Sequence, residues 1–333
     1  MTPAPLTYWL HAFFHEWLAE QRNCSRHTVL SYRDTWRLYL RFVAARRGRS
    51  VSALGLSELT AEEVLAFLKH VETERGDSIG TRNCRLAALR SFYRFLADRE
   101  PLAAAQCAAV LRIPTKKAPS VALEYLDSEE VAAILRQPNR ATLQGQRDHA
   151  LLALLHNTGA RIQEALSLCP SGVRLATPAH VKLYGKGRKE RLCPLWPETA
   201  ELLAALLKRQ PRPDHEPLFV NRYGRPLGAA GVRFKLAQYV SAAAKEVPSL
   251  RQKHISPHTF RHTVGVELVA AGADMPVIRS WFGHATLDTT NHYARANLET
   301  KRRAIELVDR PKPASGPPRW RRNPNLLAWL DSL

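Results

Sequence analysis

Apolar residues recur at helical spacing through the first third of the chain. Trp9, Phe13, Phe14, Trp17 and Leu18 make one aromatic stripe, and Val29, Tyr32, Trp36, Tyr39, Leu40 and Val43 continue it in a helix that Ser25 caps. That second helix exposes Arg26, Arg33, Arg37 and Arg41 and runs into Arg46-Arg47-Gly48. Thr60-Ala61-Glu62-Glu63 reads as a capping box for a third helix ending at Gly76. A fourth is predicted over 81–97, with Leu86, Leu89, Phe92, Tyr93 and Leu96 inward and Arg82, Arg85 and Arg94 outward. Four helices with short joints predict a small bundle. The run from Ile113 to Ser120 is rich in proline and lysine and has no apolar period, so it reads as an extended linker with lysines placed to cross a phosphate backbone.

The pattern then resumes. Asp127-Ser128-Glu129-Glu130 opens a helix, and 148–157 is a strongly apolar helix that stops at Gly159. In ARIQEAL, directly after, Ile162, Ala165 and Leu166 point to the core while Arg161 and Glu164 share another side. Over 172–194 the period shortens to two. Val173 and Leu175, Val181 and Leu183, and Leu192 alternate as half-buried strands, with a turn at Gly185-Lys186-Gly187-Arg188. Helices return over 197–210 and 229–245. Ser256-Pro257 starts another, which places His258 and Arg261 on one side near its N-terminus and ends at Gly272. A short helix over 276–282 leads to Gly283-His284, and the polar, basic segment 289–295 carries Tyr293. Beyond Arg310 come a proline-rich basic stretch and the apolar NLLAWLDSL, in which Leu326, Leu327, Trp329 and Leu330 are expected to form a plug for a neighbouring protomer. The expected fold is mainly α with a small antiparallel β-sheet. It divides into a helical bundle (1–112), a linker (113–122), an α+β domain (123–310) and a tail (311–333).

Charge narrows the function. The 333 residues carry 49 Lys and Arg against 30 Asp and Glu, a formal +19 spread along the whole chain, which points to a long polyanionic partner, with nucleic acid the leading candidate. No apolar run approaches the roughly 20 residues needed to cross a bilayer. The N-terminus has no basic leader, and the five scattered cysteines read as reduced thiols, so a cytoplasmic, membrane-free protein is expected. His258 and His262 stand four apart, but Thr259 replaces the Glu of a zinc-hydrolase helix, and no metal or other cofactor is expected.

RDHALLALLHNTGARIQEALSL, GKGRKER, HTFRH, GHATLDTT and NHYARA, in that order and spacing, resemble the tyrosine recombinases, the phage integrase family, in a Xer-like two-domain form. The resemblance is strong over about 123–307 and holds only in kind for the bundle, as a core-binding domain. It implies a catalytic set of Arg161, Lys186, His258, Arg261, His284 and Tyr293. Tyr293 would attack a phosphodiester to leave a 3′-phosphotyrosine, His258 would take its proton, Lys186 would protonate the departing 5′-oxygen, and His284 would hold the phosphate. Glu164 matches an acid that orients nearby basic groups. The chemistry agrees with the residue types. Arginine forks suit the charge on a phosphate in flight, and such donors contribute on the order of 3 kcal/mol each. A tyrosine of pKa about 10 needs a base or a stabilising field at neutral pH. The resemblance further implies a homo-tetramer on two sites in double-stranded DNA, alone or with related recombinases. The expected role is integration or transposition of a mobile element, with chromosome-dimer resolution or type IB-like nicking and resealing as alternatives.

Overall fold

The computed structural model describes residues 5–118, 123–185 and 190–283. Contacts divide the chain into two units, Met1–Val121 and Ala122–Leu333. Lys186 and its turn, His284, Tyr293 and the 311–333 tail lie outside the described residues.

In the first unit α1 (Leu6–His11) runs directly into a wide-turned π-helical stretch, Ala12–Gln21, closed by the Arg22 N–H on the Trp17 carbonyl. After it come α2 (Arg26–Arg47), α3 (Ala61–Thr73), α4 (Ile79–Ala97) and α5 (Ala104–Leu111). Ser25 caps α2 by accepting the Thr28 N–H at 3.2 Å. The core is aromatic: Phe13 meets the edge of Phe92 at 5.4 Å between ring centroids, and Trp36 meets the same ring at 4.6 Å. The fifth helix was not expected. Its alanine-rich sequence has little apolar period, yet it buries Cys107 and Val110 against α3 and α4.

Three expectations fail in this unit, each for an electrostatic reason. Thr60 does accept the Glu63 N–H, but the Glu63 carboxylate does not return to complete a box. It turns to Arg46 and Arg47 at the end of α2, at 3.3 and 2.9 Å, where two guanidiniums outweigh one backbone N–H. Of the three α4 arginines placed outward, only Arg94 is exposed. Arg82 is buried and donates to the Pro114 carbonyl at 3.2 Å, while Arg85 pairs with Asp77 at 2.7 Å. Residues 113–116 therefore lie along α4 as a strap. Arg90 donates to the Ile113 carbonyl, Asn83 to the Lys116 carbonyl at 2.8 Å, and the Lys116 ammonium pairs with Glu72 at 2.7 Å rather than standing free.

The second unit is built around α7 (Leu143–Thr158), which is buried over most of its length through an apolar run from Ala150 to Leu155 and through polar residues such as Arg147, Asp148 and Asn157. Around it stand α6 (Ser128–Arg136), α8 (Ile162–Leu166), α9 (Pro197–Arg209), α10 (Ala229–Ala243), α11 (Pro257–Ala270) and α12 (Met275–Phe282). Asp127 and Glu130 cap α6 reciprocally, at 2.8 and 2.9 Å. β1 (Val173–Arg174), β2 (His180–Tyr184) and β3 (Glu190–Pro194) form an antiparallel sheet in that order. Val181 and Leu183 face inward as expected, but β3 is inverted. Cys193 stands opposite Val181 and Arg191 opposite Leu183, so these two turn in and Leu192 is 59% exposed. The inversion brings a cation to the end of α8.

Candidate active site

Three helix ends are joined in the second unit: the end of α7, the start of α11 and the end of α12. Ser256 caps α11 by accepting the His258 N–H at 3.2 Å, and the Thr259 hydroxyl accepts the Ser256 N–H at 3.0 Å. Pro257 follows with its φ preset. This start fixes the facing of Arg261 one turn later, where it is 1% exposed. Its guanidinium donates through Nη1 to the Gly159 carbonyl and through Nη2 to the Phe282 carbonyl, both at 2.8 Å. The Arg261 Cζ also lies 4.5 Å from the Phe282 ring centroid. Gly159 ends α7 with φ of +58°, a left-handed turn that favours glycine, and a Cβ there would sit 2.4 Å from the Phe282 ring. Trp281 reinforces the junction by donating from Nε1 to the Thr158 carbonyl at 3.1 Å.

Arg161 precedes α8 in extended conformation, and Glu164 folds back on it. The carboxylate accepts the Arg161 N–H at 2.9 Å and its Nη1 at 2.8 Å. Arg191 reaches the same carboxylate from β3, Nη2 to Oε2, at 2.6 Å. Burial opposes the charge of Glu164. The hydrogen bond and charge of Arg191, followed by the Arg161 donors, outweigh it and hold the carboxyl below the ordinary range. Burial likewise opposes the charge of Arg191, but Glu164 raises its pKa further. Burial pushes the neighbouring Cys193 thiol up, despite Arg191 and Arg261 nearby.

His258 is open to solvent on one side and meets the ring of His262 edge-on at 4.5 Å between centroids. Partial burial first, then the charges of Arg261 and Arg161, lower its pKa below 6.5, so its imidazole is neutral at neutral pH. Arg161, His258 and Arg261 are thus brought together from α8 and α11, with Glu164 beneath them. Lys186, His284 and Tyr293 fall outside the described residues. Among the described residues, no group of three His, Cys, Asp or Glu is arranged to hold a metal, and no helix is long and apolar enough to cross a membrane. Sequence reasoning missed Arg191 and Phe282. For Arg191 a signal existed: with Val181 and Leu183 inward, antiparallel pairing across the turn brings Arg191 and Cys193 to the same face.

Comparison with known proteins gives consistent results. The family model described as "Phage integrase family" matches residues 124–300, and "Phage integrase, N-terminal SAM-like domain" matches residues 12–100. A Sinorhizobium fredii protein named in the integrase/recombinase class, y4rC, is 39% identical over 331 residues, covering 99% of this chain and 98% of its own length. Tyrosine recombinase XerC of Pelobacter propionicus is 32% identical over 304 residues, 90% of this chain and 94% of its own. Among solved structures, XerH recombinase bound to palindromic difH substrate matches with a TM-score of 0.67 at 20% identity, over 88% of this chain and 83% of that one. The Tn1549 transposon integrase in complex with a circular intermediate DNA gives 0.65 at 18%, over 89% and 98%. At those identities the likeness is one of fold.

Proposed function

The chain belongs to the phage integrase family of tyrosine recombinases, which are site-specific DNA recombinases, and on that premise we propose that it integrates or transposes a mobile DNA element through a 3′-phosphotyrosine on Tyr293. The tyrosine oxygen attacks phosphorus, the bond from phosphorus to the 5′-oxygen breaks, and the 5′-hydroxyl of a partner strand reverses the exchange. His258 takes the phenolic proton, for which a neutral imidazole is required. Lys186 supplies a proton to the departing oxygen, and His284 holds the phosphate. Arg161, with its side chain 39% exposed, meets the phosphate directly. Arg261, almost wholly buried, adds fixed positive charge from below. The bundle, with Arg26, Arg33, Arg37 and Arg41 exposed on α2, grips the duplex backbone as part of a tetramer on two sites.

The observation that carries this reading is the seating of Arg261, which comes one turn after His258 on α11 and donates to the Gly159 carbonyl two residues before Arg161. The relative y4rC, similar over 331 residues, carries a name that covers integration and recombination alike, so the two roles are separated by experiment. The test is covalent capture. The full chain is incubated with a randomised pool of nicked duplexes, quenched with detergent, and the protein-linked DNA is recovered and sequenced. Wild type is expected to form the adduct, and Tyr293→Phe to form none while still retaining DNA on a filter. An adduct surviving Tyr293→Phe, or none from wild type, overturns the reading. Plasmids carrying the captured sequence then separate the roles, since integration joins two plasmids and resolution divides one.

A further inference from the structure

Arg191 has no part in the reaction just described, yet its side chain is more deeply buried than that of Arg161, 8% exposed against 39%. A charge in such a place is costly, and an apolar side chain of similar volume commonly serves packing as well or better. Its partner explains it. Glu164 is 4% exposed and holds Arg161 at 2.8 Å. Left to themselves these two would form a neutral pair, with the carboxylate claiming the arginine and repelling any incoming phosphate. Arg191 makes the trio net positive. It also occupies Oε2, which already takes the Arg161 backbone N–H, so the Arg161 side chain is left with Oε1 through Nη1 alone. Among the described residues no other hydrogen bond engages the Arg161 fork.

We propose that Arg191 is a positioning residue for strand cleavage: by saturating Glu164 it converts the Arg161 fork from the carboxylate's partner into a receptor for the scissile phosphate. The proposal rests on Arg161 as the phosphate ligand, and it assigns Arg191 no contact with DNA. It acts through Glu164, so removing the carboxylate's charge must relieve the loss of Arg191.

The test uses the full chain and the nicked duplex recovered by covalent capture. Arg191→Met is expected to slow adduct formation at saturating DNA by about 10- to 100-fold, as loss of a supporting group around a charged site commonly does, while apparent affinity for the duplex stays within about threefold. Arg191→Met with Glu164→Gln is expected to recover most of the rate, because a neutral amide no longer competes for Arg161. Arg191→Lys keeps the charge without the fork and should lose roughly tenfold or less; it carries the test if the methionine variant does not fold. A purely architectural role predicts that the double variant is at least as slow as the single one, and that result overturns the proposal. So does wild-type adduct formation by both Arg191→Met and Arg191→Lys. A wild-type chain that forms no adduct counts against the parent reading instead.

Discussion

Replacing Gly159 by alanine tests the junction on which the site is built. The added Cβ meets the Phe282 ring at 2.4 Å, well inside contact distance, and the backbone stays at φ of +58°. The left-handed conformation alone costs about 1 kcal/mol for alanine. Forcing a methyl into a packed core adds about 1–3 kcal/mol. The sum is about 2–4 kcal/mol. Gly272 provides the control, since it has φ of +81° and a methyl group added there meets nothing within 4 Å among the described residues, so Gly272→Ala should show only the backbone part. Urea denaturation of the full chain, followed through the transition of the second unit, compares the two. Phe282→Leu should relieve part of the Gly159→Ala loss, giving a favourable coupling of about 1–2 kcal/mol in a double-mutant cycle. The Gly159 carbonyl accepts from Arg261, so covalent capture should fall further than the loss of folded protein accounts for. If Gly159→Ala and Gly272→Ala cost the same within about 0.5 kcal/mol, the account of Phe282 packing is wrong.

Glu164→Gln should destabilise the chain by about 3 kcal/mol at neutral pH, since it breaks a buried ion pair. The folded carboxyl titrates below 4.5, so the advantage of wild type over Glu164→Gln is full above pH 4.5 and disappears as pH falls through the lowered pKa; urea midpoints across that range check it. The ring signals of His258 should titrate below pH 6.5 by nuclear magnetic resonance, and Arg161→Ala should move the midpoint upward; no movement would remove Arg161 from its neighbourhood. Arg82→Ala loses the Pro114 contact, about 1 kcal/mol, and should speed tryptic cleavage after Lys116 or Lys117.

The helix starts were the most legible parts of the sequence, because each depends on a few adjacent residues. Ser25, Asp127 and Ser256 cap where expected, and Gly159 closes α7 in the left-handed turn. The errors lie where distant groups compete. Leu192 looks like an inward residue until Glu164, far away in sequence, offers Arg191 a buried partner. Arg82 looks solvated until residues 113–116 lay their carbonyls along α4. Glu63 looks like a helix cap until Arg46 and Arg47 approach from α2. In the site, spacing placed His258 and Arg261 on one side of a helix and the family resemblance added Arg161, but the Gly159 and Phe282 carbonyls that hold Arg261 cannot be read from side-chain identity, since any residue has a carbonyl.

The seating of Arg261 across two helix ends bears on how degenerate copies of such genes should be interpreted. A descendant that had abandoned strand breakage would still need that guanidinium to join the ends of α7 and α12, so its retention says little about surviving activity. If Arg161 is the phosphate ligand proposed above, then at the surface and held through one nitrogen of its fork it would have far less to do once the reaction is gone, and its decay would be the earlier sign of a silenced copy.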